Sequence, residues 1–335
     1  MVARKGAGSL RGVRRVLKVL GIVVLVVVGL VVALLVVGSA MPTVAQDYYE
    51  HVETGGPVEA RYTAMGPYQV GHQDFDAADD TIKKYEVWYP ADLEGSDRAW
   101  PVVVVANGTG TPASKYQAVF EHLASWGFVV VGNEDPSSWS GESCERSLAF
   151  LLAQNEDAQS VFYQRIDGER VGLAGHSQGG VAVVNAATTQ PHAMTYKAVF
   201  GASTTFQLLA QNLGWPYDAS AIKAPYLMVA GTGASDAGDG KEDGNAGIAP
   251  LWSMHENYDA VGADVPKAMA RLVGAEHGDM LSKADGYMTA WFCYWLQRDA
   301  EAGSAFLGDD AEILTNPRWQ DVAVSLADPE GALED

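Results

Sequence analysis

Positive charge is scarce in this chain, and much of it sits at one end. Of the 22 Lys and Arg residues in 335, six (Arg4, Lys5, Arg11, Arg14, Arg15 and Lys18) fall in residues 1–18, which hold no Asp or Glu. The rest of the chain sets 16 basic side chains against 42 acidic ones. A body this acidic repels nucleic acid and anionic membrane surfaces, which excludes nucleic-acid binding as a function. Cysteine is scarce too, with Cys144 and Cys293 alone. A bridge between them is permitted outside the cell. The two fall on helical segments expected on opposite faces of a sheet, however, and read as small apolar residues. Repeats and low-complexity stretches are absent beyond the N-terminus. What remains, 48% hydrophobic overall, is enough for one large domain with a real core.

Charge vanishes altogether from "VLGIVVLVVVGLVVALLVV", Val19–Val37, a continuous apolar run of 19 residues. At helical rise such a run spans the ~30 Å hydrocarbon layer. Its basic flank, residues 1–18, predicts an N-terminus in the cytoplasm and the body outside. A cleaved signal is the alternative, with "GSA" (Gly38–Ala40) or "TVA" (Thr43–Ala45) as cleavage site. Signal h-regions run about 7–15 residues, so the length favours an uncleaved anchor over residues 19–40. Both readings export the domain, as a single-pass membrane protein or as a secreted one. Residues 41–60 show no periodicity and read as a linker, which leaves 61–335 as the domain.

Within that domain strand and helix signals alternate. "IKKYEVWYP" (82–90) alternates as a strand does, and "PVVVVAN" (101–107) and "FVVVGNED" (128–135) are runs suited to strands buried on both faces. Further strands are expected at 170–176, 197–203, 224–232 and 266–274. Helices are expected at 113–127, 144–157, 181–190, 251–262 and 280–302. This alternation implies an α/β fold, a mostly parallel sheet with helices on both faces. Ligands on such sheets bind beyond the carboxyl ends of the strands. The residues to weigh are those just after each strand.

"LAGHSQGG" (Leu173–Gly180) places Ser177 between an apolar strand and an amphipathic helix, within the pattern G-x-S-x-G. That is the nucleophile elbow, in which a strained turn without flanking bulk lifts the hydroxyl above the sheet. A serine hydroxyl is a poor nucleophile until a base takes its proton. "RLVGAEHGDM" supplies His277 after the last expected strand. The other histidines precede the sheet, lie on or beside helices, or, as His176, occupy the elbow's x position. The base needs a carboxylate to fix its tautomer. The loop "GTGASDAGDGKEDGNAGIAP" after the penultimate expected strand offers Asp236, Asp239, Glu242 and Asp243. Asp236, nearest the strand end, is favoured, with Asp243 second. The order Ser177, Asp236, His277 is that of α/β-hydrolases. The loop's spacing fails the D-x-D-x-D-G calcium pattern, since Lys241 falls two after Asp239, and no metal is expected. The backbone N–H groups of Gln178 and of Thr109, in "ANGTGTPAS", are the expected oxyanion donors, with Gly110 as alternative to Thr109. Trp139 and Trp215 lie near strand ends and are candidate substrate contacts.

The stretches "GPYQV" (Gly66–Val70), "EVWYP", "NGTGTPASKYQAVFEHLASWGFVVV", "GHSQGG", "GIAP" and "AEHGDM" carry a resemblance. Over residues 62–300 the chain resembles the bacterial cutinase, polyester-hydrolase and chlorophyllase-like branch of α/β-hydrolases. The resemblance implies Ser177 as nucleophile, Asp236 as acid, His277 as base, Thr109 at the oxyanion position and no cofactor. Three departures stand out. Bacterial cutinases carry an aromatic ring where Thr109 stands, their acid loop is shorter, and their elbow often has Trp or His and Met where this chain has His176 and Gln178. These bear on polymer grip, not on ester hydrolysis. The reading is a serine carboxylic-ester hydrolase, monomeric in its catalytic domain. It acts outside the cytoplasm on small-molecule or lipid-like esters and touches the membrane only through its N-terminal helix. The alternatives are a serine peptidase on the same scaffold and a catalytically silent binding protein.

Overall fold

Val102 to Val105 and Val129 to Val131 lie at the centre of a nine-stranded sheet and are buried. The structure, a computed structural model, describes residues 42–241 and 246–326. In chain order the strands are β1 (Val70–Asp76), β2 (Lys84–Pro90), β3 (Trp100–Ala106), β4 (Val129–Asn133), β5 (Ile166–His176), β6 (Tyr196–Ala202), β7 (Tyr226–Gly231), β8 (Lys267–Leu272) and β9 (Trp319–Ser325). Their spatial order is β1-β2-β4-β3-β5-β6-β7-β8-β9. The run from β4 through β8 is parallel, and β1, β2 and β9 join antiparallel at its two sides. Among the described residues the six longest helices are α1 (Pro57–Thr63), α2 (Gln117–Ser125), α3 (Glu142–Glu156), α4 (Gln178–Thr189), α5 (Leu251–Ala260) and α6 (Asp285–Gln297).

Period-2 alternation persists inside the valine runs. Val103, Val105 and Val130 pack with Phe120 and Leu123 of α2 and Trp291 and Phe292 of α6. Val102, Val104, Val129 and Val131 pack with Leu148 and Leu151 of α3, Val183 and Val184 of α4 and Met254 of α5. Each such side chain contributes about 1.5–3 kcal/mol on burial, so both faces need a helical layer. Cys293 belongs to the first cluster and Cys144 to the second, and both are free thiols.

Three elements lie where the sequence shows no clear period. Val44, Tyr48 and Tyr62 are buried, so residues 44–63 belong to the packed body rather than to a linker. There α1 is capped from far along the chain, as the Glu312 carboxylate accepts the N–H groups of Val58 at 2.6 Å and Glu59 at 2.7 Å. β1 and β9 are edge strands. The helix expected over 280–302 is three pieces, Met280–Lys283, α6 and Ala300–Gly303. Arg298, at φ 61°, ends α6, and Asp299 caps the next helix through its side chain. The apolar segment 19–40 lies outside the described residues. Among those described, no helix is long and apolar enough to cross a membrane.

Candidate active site

β5 runs into α4 with a single residue between them, Ser177, at φ 62° and ψ −120°. A non-glycine residue there costs on the order of 1–3 kcal/mol and persists only when its surroundings impose it. The surroundings are three glycines without room for a side chain. A Cβ on Gly175 would lie 2.2 Å from Gly179 O, one on Gly179 2.4 Å from Ala106 O, and one on Gly180 2.4 Å from Thr204 Oγ1. The Ser177 N–H donates to Ala202 O at 2.9 Å, which ties the turn to β6. The strained turn therefore follows from close approach of α4 to β3, β5 and the loop after β6.

The loops after β7 and β8 lie side by side and bring two predicted residues together. His277 Nδ1 is 3.0 Å from Asp236 Oδ1. Asp236 is fully buried, and its second oxygen accepts the Gly231 N–H at 2.6 Å and the Ser203 hydroxyl at 2.6 Å. A carboxylate shut away from water needs donors, and these two hold one oxygen of the anion while the other faces the imidazole. Ser203 stands just after β6 at φ 47°, its own N–H held by Val229 O at 2.7 Å. The acid loop is long, but its ends meet. The Asp236 carbonyl accepts the N–H groups of Ile248 at 3.1 Å and Ala249 at 3.0 Å, so the inserted residues leave Asp236 at the strand end. Asp243, the second candidate acid, lies outside the described residues.

His176 links the elbow to the base. Its Nε2 is 2.8 Å from the His277 carbonyl and the two rings are 4.5 Å apart. Burial of the ring, and then the neighbouring His277, push its pKa down to about 4. It is therefore neutral at pH 7 and carries its proton on Nε2, the atom that donates to the carbonyl. On the other side of the elbow, Gly108 packs beside Ser177. The N–H of Gly110 is engaged by Pro136 O at 3.0 Å, whereas that of Thr109 meets no acceptor among the described residues. Gln178 opens α4, where the helix dipole favours developing negative charge.

A model of PET hydrolase-like proteins matches residues 50–307. The chain belongs to that family. It is a carboxylic ester hydrolase. It is 28% identical over 275 residues to a bis(hydroxyethyl) terephthalate hydrolase of Streptomyces coelicolor, covering 80% of this chain and 77% of that one. It is equally 28% identical over 275 residues to the cutinase cut1 of Thermobifida fusca, covering 78% and 76%. Cutinase 2 of Thermobifida cellulosilytica is 28% identical over 220 residues, covering 64% and 73%.

Trp139 and Trp215 are half-buried on loops that Asn185 of α4 joins, its Nδ2 donating to Trp139 O at 2.8 Å and to Pro216 O at 3.1 Å. The Trp139 loop also reaches the loop after β3 beside the elbow, where the Ser138 hydroxyl donates to Asn107 O at 2.6 Å. Among the described residues one set could ligate a metal. His72, Asp74 and Glu86 on the paired strands β1 and β2 hold ligand atoms within 4.8 Å of one another. Lys84 Nζ already lies 2.8 Å from Glu86 Oε1 and 3.1 Å from Asp74 Oδ2, which makes this an ion cluster of the hairpin. Sequence reading had no handle on Ser203, Ser235 or Glu276, whose site contacts all cross between loops. Their positions just after β6, β7 and β8 were the available signal.

Proposed function

We propose that this protein is a serine ester hydrolase in which Ser177 Oγ attacks the ester carbonyl carbon. His277 takes the hydroxyl proton and returns it to the leaving alcohol as the C–O bond breaks, which leaves Ser177 acylated. Water then attacks the acyl-enzyme with His277 as base, the acid departs and Ser177 regains its proton. Asp236 fixes the tautomer of His277 and stabilises its charged form. The N–H groups of Gln178 and Thr109 hold the oxyanion, each worth on the order of 10²–10³ in rate. One observation carries this reading: a fully buried Asp236 bonded at 3.0 Å to Nδ1 of His277, whose own backbone carbonyl meets His176 of the elbow.

The substrates of this reading are small or medium esters. The relative named for bis(hydroxyethyl) terephthalate, a small soluble diester, supports that size. The apolar run Val19–Val37 and its basic flank support a domain held outside the cytoplasm. Ser177→Ala should abolish turnover of a p-nitrophenyl ester panel, and a fluorophosphonate probe should label the parent protein at Ser177. Turnover near the parent level in a folded Ser177→Ala protein overturns the assignment.

A further inference from the structure

The residue before His277 is an exposed glutamate whose side chain reaches along the surface to the acid loop. Glu276 Oε2 accepts the Ser235 N–H at 2.8 Å and also the Ser235 hydroxyl, and Oε1 accepts the Ala234 N–H at 3.2 Å. Ala234 and Ser235 open the short helix Ala234–Ala237 that carries Asp236, so Glu276 caps that turn from the neighbouring loop. The link is reciprocal. The His277 N–H donates to Ser235 Oγ at 3.0 Å. Glu276 is itself held, its N–H donating to Asp279 Oδ2 at 2.9 Å. Gly233 leaves the space required, since a Cβ there would lie 2.5 Å from the Glu276 carboxyl carbon. The donors, the Ser235 hydroxyl first among them, also hold the Glu276 carboxyl below its ordinary value.

We infer that Glu276 is a positioning residue that, with Ser235, clasps the acid loop to the base loop and sets the distance between Asp236 and His277. The backbone links Thr232 N–H to Leu272 O at 3.0 Å and Gly233 N–H to Ala275 O at 2.7 Å join the loops further back. Among the described residues, the Glu276–Ser235 pair joins the two residues that precede Asp236 and His277. A carboxylate suits the task because two oxygens must accept three donors. The inference rests on the Ser177, Asp236, His277 reading.

Three variants test it on the full chain: Glu276→Ala, Glu276→Gln and Ser235→Ala. Glu276→Ala should lower kcat on p-nitrophenyl butyrate by about ten- to a hundredfold, as expected when a catalytic pair drifts by up to an ångström. KM and the melting temperature should change little, because the side chain is at the surface. Glu276→Gln keeps one accepting oxygen and should recover a large part of the loss. The double variant Glu276→Ala/Ser235→Ala should be no worse than the poorer single one, since both cut the same clasp. A kcat in Glu276→Ala equal to that of the parent protein overturns the inference, as does a loss tracked by melting temperature alone or additive losses in the double variant. Ser177→Ala, run alongside, separates the two ideas. If it stays active the catalytic reading fails. If it is dead while Glu276→Ala is fully active, the clasp alone fails.

Discussion

At the scale of single residues, Asp236 shows how a buried charge is kept useful. Ser203 and Gly231 satisfy one carboxylate oxygen and His277 takes the other. Asp236→Asn exchanges an acceptor for a donor facing Nδ1, which favours the wrong imidazole tautomer. By analogy with that change in the serine-protease triad, kcat should fall by about 10⁴. Ser203→Ala leaves the charge and one donor in place and should lower kcat by only about tenfold, equivalent to ~1.4 kcal/mol. Asp243→Asn should be nearly silent. Steady-state kinetics on one soluble ester ranks all three, and an Asp243 effect exceeding that of Asp236 would move the acid to the far side of the inserted loop. Ser177, Asp236 and His277 were legible because each follows a strand that its own sequence announces. Ser203 and Glu276 were not, since what they do depends on partners 33 and 41–42 positions away that only the folded sheet brings near.

At the scale of elements, α1, α2 and α6 meet around a buried ion pair. His122 Nδ1 lies 2.8 Å from Asp285 Oδ2, both side chains are fully buried, and His122 Nε2 faces the carbonyls of Thr63 at 3.0 Å and Ala64 at 2.9 Å. Tyr48 lies beside this pair, its ring tilted 57° to that of His122 with centroids 6.1 Å apart. Burial alone would lower the His122 pKa, but the charge of Asp285, followed by the two carbonyls, reverses this and raises it above 6.5. The folded state thus binds the proton more tightly than the unfolded one. Its contribution to stability is complete below pH 6.5 and disappears as pH climbs through the raised value. His176 acts oppositely, since depression from 6.5 to about 4 makes stability fall as pH drops through that interval. Urea melts should therefore show the two histidines opposing each other across pH 6.5. His122→Leu should remove the alkaline decline and cost about 3–5 kcal/mol by leaving Asp285 unpaired. An undiminished alkaline decline in that variant would assign it elsewhere. The same elements mark where sequence patterning stops. The valine runs of β3 and β4 are buried on both faces and need no context to be recognised. α1 and β9 are short and half-buried, and their period emerges only against α6 and β8, which they cover.

At the scale of the whole molecule, charge and surface shape bear on which esters the enzyme takes. Beyond residue 18 the chain carries 42 acidic and 16 basic side chains, which disfavours adsorption to anionic surfaces. Thr109 is exposed at the end of β3, where the resemblance to bacterial cutinases implies an aromatic ring. A ring at such a place buries up to ~150–250 Å² against a ligand. Sharing only part of that area, at ~25 cal/mol per Å², a polymer chain would lose about a kcal/mol or more of binding. In the proposed mechanism a small soluble ester needs no such wall, because only its acyl carbon has to reach Ser177 and its carbonyl oxygen the two N–H donors. The enzyme should therefore hydrolyse p-nitrophenyl butyrate or bis(hydroxyethyl) terephthalate readily while releasing little soluble product from an aromatic polyester film. The comparison is made with residues 42–335 beside a dedicated cutinase, at equal butyrate activity. Film release on a par with that cutinase would sink the preference. Thr109→Tyr restores the wall without touching the N–H at that position. It should raise film release severalfold, in line with about a kcal/mol regained, while butyrate turnover stays where it was.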